Sequence, residues 1–363
     1  MLELIPPGLH IDFLRRAKLC ITLSVLTILT GIGSIIWHGG LSLGIDFTGG
    51  TLVQLRFSQE IELGVIRDVL GELALGETVV QHFGDQREVL IRLSQVPGGT
   101  EEIGSQIQET IRGRLPNATI DLRRVEVVGP QVSTDLRQKA LFALFYAILG
   151  IVIYISGRFE AKWFAAVCLA IALFAVTYGI TQWFRGVSPT ILIIVALAVT
   201  VVFCLVLQLR YALAAIVALF HDVLITVGFF SVFDKPFNLP IVAALLTIVG
   251  YSLNDTIIVF DRIRENMYGQ RRDQFNDVVN ASINQTLSRT VLTSGTTLVV
   301  VVALFFFGGE VIHDFAFALL IGIIVGTYSS IFIASPLLIY WYTFGDRQPS
   351  LKLPWRAVRT SRT

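Results

Sequence analysis

Long apolar runs separated by short polar breaks dominate this chain. A membrane-crossing helix needs about 20 mostly apolar residues, each rising about 1.5 Å. Runs of that kind lie at 19–37, 139–156, 162–184, 188–208, 211–232, 239–260, 288–308 and 315–342. The turn at Gln208–Arg210, between the fourth and fifth runs, is very tight. Between the first two runs lies a polar stretch, 38–138, whose pattern is different. Thr51–Phe57, Thr78–Phe83, Glu88–Leu93 and Ala118–Val128 read as strands. Leu63–Leu75 and Thr100–Leu115 carry apolar residues at helical spacing. Turns are expected at Gly84–Asp85, Pro97–Gly99 and Pro116–Asn117. The order βαββαβ is that of a ferredoxin-like unit, a scaffold that does not specify function by itself.

Basic residues set the orientation. Arg15, Arg16 and Lys18 precede the first run, and Arg158 and Lys162 follow the second. Arg262, Arg264, Arg271 and Arg272 follow the sixth, and Arg347, Lys352, Arg356, Arg359 and Arg362 fill the tail. An even number of spans puts all four clusters on one face, the cytoplasm, and exports 38–138. The expected architecture is a polytopic α-helical membrane protein with a small ferredoxin-like α+β exported domain between the first two transmembrane helices. Its parts are a cytoplasmic N-terminus and first helix at 1–37, the exported domain at 38–138, a bundle at 139–342 and a basic tail at 343–363. The first run is longer than a signal-peptide core, and no clear cleavage site follows it, so it is expected to be retained.

Composition agrees: 54% of the residues are hydrophobic and 15% charged, too few charges for a soluble surface of this size. Net charge is +1, so the overall balance does not point to nucleic acid. Cys20, Cys168 and Cys204 all lie in apolar runs without metal-ligand spacing, and no metal site is expected. No phosphate loop, G-x-S-x-G or H-E-x-x-H motif appears, so neither enzymatic chemistry nor direct use of ATP is expected.

The candidate chemistry is a set of ionisable residues inside apolar helices. Asp255, in Gly250–Thr256, leads it, because a carboxylate at membrane depth costs about 2.5–3.5 kcal/mol on insertion scales. Burial favours a neutral carboxyl and a nearby cation favours the anion, so a group held between these influences can load and release protons. Arg289, near the start of the next helix, is the expected partner at matching depth. Asn254 lies beside Asp255. Thr247 and Tyr251 on one helix, and Thr290, Thr293, Ser294 and Thr297 on the next, form polar stripes able to hold water or to bond backbone carbonyls. His221–Asp222 is a second intramembrane pair, either a relay or a structural contact. His313 and Asp314 are expected at the interface. Gly322 and Gly326 form GxxxG, with Ser329 and Ser330 a turn further on, which suits close helix packing. Asp46, Gly49 and Gly50 mark a turn or hinge entering the first strand.

Several ordered motifs resemble the SecF family. They are Gly44-Ile-Asp-Phe-Thr-Gly-Gly-Thr51, Val125-Glu-Val-Val-Gly-Pro-Gln-Val132, His221–Asp222, Gly250–Thr256 with Asp261–Asn266, and Arg289–Thr290 with Thr293–Thr297. The resemblance implies membership of the resistance-nodulation-division superfamily and residence in the bacterial inner membrane. It also implies a SecD-like partner, service to the SecYEG translocon and engagement of a translocating unfolded polypeptide. No cofactor is implied; Asp255 and Arg289 match the family positions linked to proton-coupled movement. The chain departs from the usual six spans by an apparent insertion after Gly157–Glu160, about 162–208, to which no family role carries over. A small-molecule exporter of the same superfamily usually has two exported loops and two membrane halves, and this chain has one of each. A plain scaffold would not need ionisable residues in the membrane.

Overall fold

A computed structural model describes residues 10–71, 78–83, 85–94, 100–115, 118–160, 189–267 and 275–344, with scattered positions between 163 and 179. The expected turns at Gly84, 97–99 and 116–117, most of the span 162–184 and the tail beyond Phe344 fall outside the described residues.

Helix α1, Phe13–Trp37, starts where the Asp12 side chain accepts from Arg15 N. It leads through Gly39 and Gly40, both at positive φ, into a short helix, α2, Ile45–Thr48. The exported domain follows as β1 (Gly50–Phe57), α3 (Leu63–Gly71), β2 (Thr78–Phe83), β3 (Asp85–Leu93), α4 (Thr100–Arg114) and β4 (Ile120–Val128). The sheet order is β2-β3-β1-β4 with every neighbour antiparallel, the ferredoxin-like arrangement. Val53, Leu55, Val80, Val89 and Ile91 on the strands pack with Ile66 and Leu70 of α3 and Ile103, Ile107 and Ile111 of α4.

The membrane part comprises α5 (Pro130–Glu160), α6 (Pro189–Val206), α7 (Arg210–Val232), α8 (Leu239–Asn266), α9 (Phe275–Phe307), α10 (Gly309–Ser329), a π-turn at Ser330–Ala334 and α11 (Ser335–Phe344). Among the described residues, six helical stretches are long and apolar enough to cross a membrane: Phe13–Trp37, Pro130–Phe159, Arg210–Val232, Leu239–Asn266, Phe275–Phe307 and Ile312–Thr343. Helix α6 occupies the place of the expected span 188–208. The tight turn after it forms with Gln208 at φ 54°.

Several helices run past the apolar limits. Helix α5 starts at Pro130 rather than 139, α8 continues to Asn266, and α9 begins at Phe275 rather than 288. Hydropathy detects only what suits hydrocarbon, whereas polar helix formers extend the same helix into water. One such extension has a packing role. Asn280 and Asn284 of α9 hold the chain before α1, with Ile11 N donating to Asn284 Oδ1 (2.9 Å) and Phe13 N to Asn280 Oδ1 (3.0 Å).

Close approach in the bundle falls on small residues. A Cβ on Gly31 of α1 would lie 2.7 Å from the Cα of Gly228 on α7. On Gly322 and Gly326 of α10 it would meet Ile248 Cδ1 at 2.3 Å and Ser252 Cβ at 2.9 Å, so this face of α10 lies directly on α8. The π-turn precedes Pro336, whose missing N–H removes one helical bond; Ser335 Oγ donates to Ser330 O (2.8 Å) across it.

Gly50 has φ +117°, and a Cβ there would lie 2.3 Å from Leu93 O. Gly50→Ala is expected to destabilise the exported domain by at least about 1–3 kcal/mol from backbone strain. Gly113→Ala, in helix with open space around it, should be neutral or stabilising by up to about 1 kcal/mol. Unfolding midpoints of the full chain in detergent would check both.

Candidate functional site

Asp222 lies on α7 with 0% exposure. Buried so deeply, its carboxylate requires donors, and three side chains supply them. Ser252 of α8 donates to Oδ2 at 2.5 Å, Ser329 of α10 donates to Oδ2 at 2.9 Å, and His221 Nδ1 lies 2.8 Å from Oδ1. Both oxygens are therefore occupied, and three helices meet on one side chain. His221 Nε2 is buried without a partner, and its ring stacks on Tyr328, centroids 6.1 Å apart. The Tyr328 hydroxyl lies 2.8 Å from Ser24 Oγ of α1. Gly322, Gly326 and Ser329 fall at i, i+4 and i+7, so the small face of α10 that admits α8 also delivers Ser329 to the carboxylate.

Asp255 lies one turn further along α8, about 4.5 Å from Ser252 along the axis. It is 1% exposed. Ser294 of α9 donates to Oδ2 at 3.2 Å, and Thr327 Oγ1 of α10 lies 2.7 Å from Ser294 Oγ. Its other oxygen, Oδ1, is buried without a hydrogen-bond partner, as are Tyr251 Oη and Thr290 Oγ1. Tyr251 precedes Asp255 by four residues, and Thr290 precedes Ser294 by four, on helices running in opposite directions. They therefore flank the Asp255–Ser294 contact, about 6 Å to either side. The result is a line of polar groups with unmet hydrogen-bonding capacity along the α8–α9 contact.

Arg289 does not pair directly with Asp255. One oxygen of Asp255 takes Ser294 and the other has no partner, while Arg289 is exposed. Geometry gives the reason. Asp255 meets α9 at Ser294, and Arg289 lies five residues earlier, about 7.5 Å along the helix and about 140° around it. Asn254 is also exposed. Ala243, Thr247 and Gly250 of α8 and Leu292 and Thr296 of α9 are exposed as well, at helical spacing, so each helix keeps an open face. The expected placement of Arg289 near the start of its helix is also corrected, because α9 begins at Phe275 and leaves Arg289 near mid-helix.

Of the remaining hydroxyls, Thr293 and Thr297 bond carbonyls of their own helix, Arg289 O (3.0 Å) and Thr293 O (2.9 Å). Asp314 is not an open interfacial group: it is 7% exposed and ion-paired to Lys235 at 2.5 Å. Ser329 and Tyr328 escaped the sequence reading as site residues. Ser329, a turn beyond Gly326, was expected only as part of a packing face; no sequence signal marked Tyr328.

Two family descriptions match the chain. Protein export membrane protein SecD/SecF, C-terminal, matches 109–202 and 185–344, two pieces that overlap within the stretch 162–208. The SecD/SecF GG motif matches 34–61. The protein translocase subunit SecF of Desulfurispirillum indicum is 42% identical over 338 residues, 92% of either chain. That of Calditerrivibrio nitroreducens is 43% identical over 344 residues, 93% of this chain and 96% of the other. The crystal structure of SecDF, a translocon-associated membrane protein from Thermus thermophilus, is 31% identical with a TM-score of 0.68 over 93% of this chain. SecDF in a super-membrane-facing form is 30% identical with a TM-score of 0.57 over 96% of it. The chain spans only 39% and 40% of the lengths of those two structures.

Asp222→Ala leaves Ser252, Ser329 and His221 without their buried acceptor and is expected to lower stability by about 1–3 kcal/mol. Asn254→Ala, on the open face, should stay within about 0.5 kcal/mol. Thermal unfolding of the purified chain in detergent would separate the two.

Proposed function

Because the chain belongs to the SecF family of protein translocase subunits, we propose that it is the SecF-type half of a complex that uses the proton gradient to assist late stages of protein translocation through a SecYEG channel. The carrying observation is Asp255, a carboxyl shut inside a multi-pass bacterial membrane protein with one oxygen bonded and the other free. Such a group can take a proton at Oδ1 without first breaking a hydrogen bond there. Tyr251 and Thr290 extend the polar line toward the two faces of the membrane, which suits a relay of protons through hydroxyls and ordered water.

Asp222 takes the other part in this reading. Its donors come from three elements, so it holds α7, α8 and α10 together while Asp255 changes charge. Arg289 is read as the cation that takes part in the coupling from the open face, without a direct bond to Asp255. Asn254 lies at the edge of the relay, toward the open face.

The open face supports a SecD-like partner. An exposed guanidinium on a face that also carries Thr247, Asn254 and Thr296 is poorly suited to lipid, where a central charge costs about 2.5–3.5 kcal/mol. A second membrane half would cover this face, and the SecDF structures are long enough to contain one. The exported domain would then act on the emerging unfolded polypeptide, driven by a proton cycle rather than by chemistry of its own. The segment 162–208 is read as an added helix pair, of which α6 packs on α5 and α7.

Asp255→Asn is expected to reduce gradient-stimulated translocation in vesicles to the level seen without a gradient, while the complex still assembles. Equal loss with and without the gradient would count against coupling. Arg289→Lys should lose most of the stimulation as well, since an ammonium presents its charge differently from a guanidinium. Full stimulation in that variant would remove Arg289 from the mechanism.

A further inference from the structure

The exported domain is fastened to the helix that carries Asp255 through the segment entering the sheet. Phe237 N donates to Ser42 O (2.7 Å), Gly44 N donates to Phe237 O (2.8 Å), and Leu43 forms a parallel bridge with Phe237. The next contact is made by a carboxylate. Leu239 N, the first amide of α8, donates to Asp46 Oδ2 at 2.8 Å, while Asn238 Oδ1 accepts from Ile241 N at 3.3 Å. On the other side, Arg92 of β3 donates to Leu43 O at 2.5 Å and to Ser42 Oγ at 3.2 Å. Burial works against the Arg92 charge and nearby Asp234 supports it. An unbroken path therefore runs from α8 through Asp46 and residues 42–44 to Arg92 and the sheet.

The other routes to the exported domain differ. Helix α1 reaches it through Gly39 and Gly40, both at positive φ, and is mostly exposed. Helix α5 is joined to β4 through Gly129 but carries no carboxylate between Asp135 and Glu160. Helix α8 carries Asp255 and Ser252, the donor to Asp222. Helix α2 packs on α5 while its Asp46 holds α8, so it sits between α5 and the helix with the acid.

We propose that Asp46 is the positioning residue through which the setting of α8 reaches the exported domain. The inference rests on the proton reading of Asp255. As that carboxyl gains or loses charge, α8 shifts against α9; the bond from Leu239 to Asp46 carries the shift into residues 42–47, and Arg92 passes it to the sheet. Without the bond, α8 moves and the exported domain does not follow.

A double-mutant cycle on the assembled complex in nanodiscs tests this. Cys20, Cys168 and Cys204 are replaced by alanine, and spin labels are placed at Glu109 on α4 and Phe307 at the outer end of α9, both exposed. Asp255→Asn is expected to shift the inter-label distance when Asp46 is present and to leave it unchanged when combined with Asp46→Ala. Asp46→Asn retains an acceptor oxygen and should restore the response. Arg92→Met releases the other end of the path and should abolish the response like Asp46→Ala, which keeps the inference testable if that variant fails to assemble. An equal shift with and without the Asp46 side chain overturns the inference. No shift in the native background overturns the proton reading itself, and the inference with it.

Discussion

A carboxylate inside a bilayer must find donors, and the way Asp222 finds them organises the centre of this bundle. Its three donors stand on α7, α8 and α10, so these elements cannot separate without leaving a charge uncompensated in a low-dielectric setting. Neighbouring features are consistent with that knot. Gly326 admits Ser252 close to α10, and the π-turn directly follows Ser329, where a regular helix would meet Pro336. His221 and Tyr328 extend the same cluster to Ser24 on α1.

Asp255 is the counterpart of that arrangement. It is as buried as Asp222 but has one bonded oxygen, not two. The contrast divides the work between two acids on neighbouring helices: one is saturated and holds helices together, the other has capacity to spare and suits transfer. The difference arises from α9, which offers Ser294 to Asp255 but turns Arg289 to the opposite side. The open face with Arg289, Asn254 and Thr247 then reads as half of an interface, in keeping with SecDF chains more than twice as long as this one.

The exported domain is joined to this machinery by short-range contacts rather than by a tether. Within the bundle, Lys235 in the link before α8 pairs with Asp314 and lies over Phe317, both on α10. Asp46 and Arg92 bracket the chain that enters β1, and Gly49 and Gly50 turn it with positive φ. A small α+β unit placed this way shares the frame of the bundle, so a displacement of helices inside the membrane has a route to the outside.

Much of this was legible in the sequence because periodicity and hydropathy are local properties. The βαββαβ order, most of the spans and Asp255 as a buried acid follow from patterns within one element, and the ordered motifs pointed to the family. Partnership between helices is not local. Ser294 rather than Arg289 meets Asp255 because of how α8 and α9 are rotated, which no single-helix pattern records. Asp222 read equally as relay or strut until three separate elements were seen to reach it. Asp46 read as a turn residue until its carboxylate was found on an amide 193 positions away. Helix ends were misplaced for a related reason: hydropathy measures the solvent a residue prefers, whereas a helix ends where its backbone bonds end. Chain pattern determined which elements form and which residues are costly to bury; only the packing of those elements decided which group answers each cost.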